Sequence, residues 1–103
     1  MHRKLFNELE KLRKQVAAAQ RKYDAHDGEL QRLIEERDHW VEVLNDRGEF
    51  ITEQQSKALR KAWAEYAVQA RKTEKLWSEL QMLKQHEREL VRPLHRRNRK
   101  LAV

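Results

Sequence analysis

The chain is predicted to be an all-α, antiparallel two-helix hairpin of coiled-coil type, and three observations carry that prediction. Stepping alternately four and three residues from Leu5 to Leu44 meets an apolar side chain at ten of twelve positions, with no slip in phase. An unbroken period of 3.5 marks a helix that lays one seam against another helix. A stop signal at Asn45-Asp46-Arg47-Gly48-Glu49 is followed at once by a start signal at Thr52. The composition is 39% hydrophobic and 39% charged with two glycines and one proline, which suits long helices and leaves little room for a sheet.

The first helix is expected over about residues 3–44. Its weakest stretch is Asp24-Ala25-His26-Asp27-Gly28, where the heptad phase nevertheless continues. A turn follows over about 45–51, with Gly48 suited to the position just past a helix end. Thr52 with Gln55 has the spacing of a capping box, and Ile51 before it can act as a staple. The second helix is expected over about 53–91, because Pro93 opposes continuation. A basic tail, 92–103, completes a single domain of 103 residues.

The second helix carries a broader apolar stripe than one partner helix requires. One row includes Leu59, Ala62, Tyr66, Leu76 and Leu80; beside it run Trp63, Ala67, Ala70 and Trp77. Such width calls for a further helix, supplied most simply by a second copy of the chain in a four-helix bundle. Trp63, Tyr66, Ala70, Trp77 and Leu80 are therefore the candidate partner interface. Within the chain, facing residues of antiparallel helices have a nearly constant summed number. A total of about 96 pairs Leu33 with Trp63, Leu30 with Tyr66, His26 with Ala70 and Ala19 with Trp77.

His26 and Arg37 are the two polar positions in the seam of the first helix. Polar seam residues set register and oligomeric state at some cost in stability. Gln69 and Thr73 fall opposite His26, so a hydrogen-bonded layer is expected there. Arg37 is expected to reach Glu36, Glu53 or a partner chain.

Charge is unevenly spread along the sequence. Residues 1–22 and residues 84–103 each hold seven Lys/Arg against two Glu, whereas residues 23–83 hold nine against thirteen Asp/Glu, within a net charge of +6. Three readings fit this pattern. The charges can simply solvate long helices, two hairpins can pair basic end to acidic end, or the basic end can grip an anionic partner. For the last, Arg3, Lys4, Lys11, Arg92, Arg96, Arg97, Arg99 and Lys100 are the candidate residues for nucleic-acid phosphates or an acidic surface such as a lipid headgroup layer. No base-reading motif accompanies them.

Little in the sequence supports catalysis. There is no cysteine, no glycine-rich phosphate loop and no carboxylate pair on the seam. Glu36-x-x-His39 has the spacing of di-iron bundles, but both residues flank the seam and face Arg60 and Lys57, which would repel a cation. No metal, cofactor or small-molecule substrate is expected. No run is long and apolar enough to span a membrane and no secretory leader is seen, so the expected location is cytoplasmic. In outline, a short helical hairpin with a basic base resembles the stalk proteins of type III export machines and, equally, small basic subunits of nucleoprotein complexes; the resemblance is one of architecture and charge. The function expected is that of a non-enzymatic interaction or adaptor protein acting as a homodimer, with non-specific nucleic-acid binding as the alternative.

Overall fold

The computed structural model describes the backbone of residues 2–101 and the side chains of residues 3–93. Helix α1 (His2–Arg47) and helix α2 (Glu53–Leu101) pack against each other as a hairpin, joined through a short 3-10 turn at Gly48–Phe50. No strand occurs among the described residues.

The junction is built by local chemistry. Gly48 has a φ of +54°, a conformation that costs a residue with a Cβ about 1–2 kcal/mol. After the 3-10 turn, Ile51 is extended and Thr52 begins the next helix. The Thr52 N–H donates to Gln55 Oε1 and the Gln55 N–H donates to Thr52 Oγ1, both at 3.1 Å. This reciprocal pair satisfies two of the amide groups that a helix start leaves without partners.

Two boundaries differ from the sequence expectation. Helix α1 runs on through Asn45, Asp46 and Arg47 until Gly48 turns the chain, and Arg47 places a cation in the last turn where the helix dipole favours one. Helix α2 does not stop at Val91 but continues through Pro93 to Leu101. Proline removes one backbone donor, and the acceptor it deprives is the carbonyl of Glu89, an exposed residue that water can reach.

The chain divides into two compact units, Met1–Tyr23 with Leu76–Val103, and Asp24–Lys75. In the first, the terminal unit, Leu9, Leu12 and Leu80 are buried, and Arg13 of α1 pairs with Glu87 of α2 at 3.4 Å. In the second, the turn unit, Leu33, Ala62 and Thr73 are buried. The division by contact also divides the charge. By sequence the terminal unit holds fourteen Lys/Arg against five Glu, and the turn unit nine against twelve Asp/Glu.

In the turn unit the expected polar layer forms, with Gln69 and Thr73 of α2 against His26 of α1. The Arg37 guanidinium lies over the rings of Trp63 and Tyr66.

The two glycines make a clean test of this backbone. A Cβ added at either would meet nothing within 4 Å, so conformation alone decides the outcome. Gly28 lies inside α1 without a positive φ, and Gly28→Ala is expected to stabilise by roughly 1 kcal/mol. Gly48→Ala is expected to destabilise by about 1–2 kcal/mol. Urea-unfolding midpoints should move in opposite directions; a shift of the same sign would refute this account of the turn.

Candidate functional site

The residues singled out from the sequence as a partner interface separate into different environments. In the turn unit, the Arg37 guanidinium carbon lies 4.4 Å from the centre of the Tyr66 ring and 5.0 Å from that of Trp63. The two rings meet edge to face at 6.1 Å. Asp38 Oδ1 accepts from Arg37 Nε at 3.2 Å and from Nη2 at 3.1 Å, and this bond raises the guanidinium pKa further above its ordinary range. Arg37 thus turns to Asp38 and two aromatic faces, not to Glu36 or Glu53. Its stem stays on the seam side, while its head gains both a carboxylate and a π surface.

Trp63 keeps 46% of its surface exposed although its ring is held on two sides. Ala70 is half-buried. In the terminal unit, Trp77 is 49% exposed, whereas Leu80 is 1% exposed and is the most deeply buried large side chain described. Leu80 is therefore a seam residue, and a partner cannot touch it while the two helices remain packed. Trp40 is half-buried, with the His39 ring set edge-on to it at 5.2 Å.

His26 sits in a polar layer of the turn unit. Gln69 Nε2 lies 2.9 Å from His26 Nδ1, 3.3 Å from the His26 carbonyl and 3.2 Å from Thr73 Oγ1. The Thr73 hydroxyl donates back to the Gln69 carbonyl at 2.9 Å, with the His26 carbonyl a longer alternative acceptor at 3.4 Å. Thr73 is 4% exposed, and no buried side-chain polar atom among the described residues lacks a partner. A layer that is satisfied in this way costs little while it is intact and much when it is half removed.

Beside it, Leu33, Ala64 and Val68 line an open groove whose rim carries Glu29, Arg32 and Glu65. Arg32 donates to both Glu29 and Glu36, and its hydrogen bond holds the Glu29 carboxyl below the usual carboxylate range. Glu36 is thus engaged by Arg32, and His39 by Trp40. Among the described residues, no group of three or more His, Cys, Asp or Glu is placed to hold a metal ion. No described helix is long and apolar enough to cross a membrane.

Of the candidate anion-binding residues, Arg3, Lys4, Lys11 and Arg92 are exposed in the terminal unit. The side chains of Arg96, Arg97, Arg99 and Lys100 lie outside the described residues. Lys14, Arg21 and Lys22, passed over in the sequence reading, are exposed on the same helix as Arg3, Lys4 and Lys11. Their signal was present: at 100° per residue they share the face of those three.

Neither a protein-family model, nor a curated protein, nor a solved structure matches this chain.

Proposed function

We propose that the protein is a non-enzymatic helical-hairpin interaction protein that binds a macromolecular partner and does so as a homodimer. The observation that carries this reading is Trp63, a large aromatic left half-exposed yet fixed by Arg37 and Tyr66. A side chain already immobilised loses little entropy on binding, and tryptophan dominates the energetics of many interfaces. The opposite charge balance of the two units supports a second copy as the partner, since a basic unit of one chain complements an acidic unit of another.

The test is mass and helicity together. Light scattering at micromolar concentration is expected to give twice the chain mass of 12.6 kDa. Trp63→Ala is expected to shift the population toward the single-chain mass while far-UV circular dichroism stays helical. A single-chain mass for the parent protein at every concentration tested would sink the homodimer.

A further inference from the structure

We infer that the exposed face of α1 within the terminal unit binds the phosphate backbone of nucleic acid. Arg3, Lys4, Lys11, Lys14, Arg21 and Lys22 are all exposed on this one helix. At 100° per residue they fall within an arc of about 100°, spread along roughly 28 Å of helix. The arc is centred opposite the buried Leu9 and Leu12, so the packing against α2 leaves it outward. Asn7 and Ala18, short and exposed, lie between the cations and permit close approach of a backbone. Lys14 pairs with Glu10 at 4.0 Å, and the other five make no ion pair among the described residues. Among the described residues, ion pairing leaves five of the six charges on this face unneutralised.

The chemistry selects among anionic partners. A lipid-surface helix needs a large apolar face to bury beneath its cations. Here the apolar side of α1 is already committed to the seam through Leu9 and Leu12. The acidic unit of a second copy competes for this face with part of its charge already engaged, because five of its twelve acidic residues, Glu29, Glu36, Asp38, Glu53 and Glu65, have cationic partners within their own chain. A phosphate backbone presents regularly spaced charges over the same length, neutralised only by mobile counterions whose release rewards each contact. No base-edge reader accompanies the face, so binding follows charge and not sequence. This face is separate from the Arg37–Trp63–Tyr66 cluster, and either reading can fail without the other.

Fluorescence anisotropy of a short labelled DNA duplex, titrated with the full chain at several salt concentrations, is the test. If five of the six residues engage, affinity should fall on the order of 500-fold between about 50 and 200 mM salt, a log–log slope of about −4.5. Combining Lys11→Gln, Arg21→Gln and Lys22→Gln should reduce the magnitude of that slope by about 2–3, by a similar amount for unrelated duplex sequences. Lys11→Arg with Lys22→Arg, which keeps the charge, should leave the slope unchanged and guards against a variant that merely misfolds. Failure to bind the duplex at about 50 mM salt overturns the inference. So does an unchanged slope in the glutamine variant, or binding to phosphatidylserine vesicles without binding to duplex.

Discussion

Replacing Leu80 by alanine is expected to cost about 2–5 kcal/mol, the range for deleting a buried leucine side chain from a packed core. Small domains typically hold only about 5–15 kcal/mol in reserve, and a two-helix seam belongs at the low end. Leu80 is 1% exposed, and Leu9, Leu12, Leu33 and Ala62 are the other buried hydrophobic residues described. With so few side chains sharing the burial, no neighbouring layer can collapse to fill the void. The control lies two residues away. Met82 is 73% exposed on the same helix, and Met82→Ala is expected to change stability by no more than about 0.5 kcal/mol. Thermal unfolding followed by far-UV circular dichroism should show a large loss for Leu80→Ala and almost none for Met82→Ala. Equal, small effects would mean that the seam is not what holds the helices together.

Leu80 also shows what could be read from the sequence and what could not. The seam itself was legible, because burial along a helix pair requires only that apolar residues recur at the right spacing. The stop at Gly48 and the cap at Thr52 and Gln55 were legible for a similar reason: each depends on neighbours within four residues. What depends on two distant segments was legible in part: the layer of His26 with Gln69 and Thr73 forms as expected. Trp63 and Leu80 both follow the apolar period, yet one is half-exposed and the other fully covered. The difference lies in which edge of the stripe faces α1: Ala62 and Leu80 are on the buried edge, and Trp63 is one residue over. The turn-forming composition of Asn45, Asp46 and Arg47 hid three helical residues at the end of α1. Arg37 was expected to reach Glu36, Glu53 or a partner chain, and it meets Asp38 and two aromatic rings.

Counting by sequence windows finds the basic ends but does not say which cations share one side of a helix. Windows measure how many cations a stretch holds; a binding face depends on how many share one side of a helix. The same wheel that places Leu9 and Leu12 inward places Lys14, Arg21 and Lys22 outward.

Removing the polar layer one residue at a time is expected to behave differently from removing it whole. Gln69→Leu takes away the amide that reaches His26 Nδ1, the His26 carbonyl and Thr73 Oγ1. Part-buried polar atoms then lose a partner they had in place of water, at a cost of about 1–3 kcal/mol. Combining His26→Leu, Gln69→Leu and Thr73→Val removes every side-chain member of the layer and fills the space with apolar groups. That variant is expected to be at least as stable as the parent, because burying well-packed hydrocarbon needs no desolvation of polar atoms. What it gives up is discrimination. A seam without a polar layer accepts neighbouring registers and other copies of the chain with little penalty, whereas an intact layer makes any slip strand buried donors and acceptors. Urea unfolding should therefore rank the triple variant at or above the parent and Gln69→Leu below both. Light scattering should give one species for the parent and a mixture of masses for the triple variant. If the triple variant loses as much stability as the single effects summed, the layer contributes net stability; if it also keeps one mass, the layer does not set register.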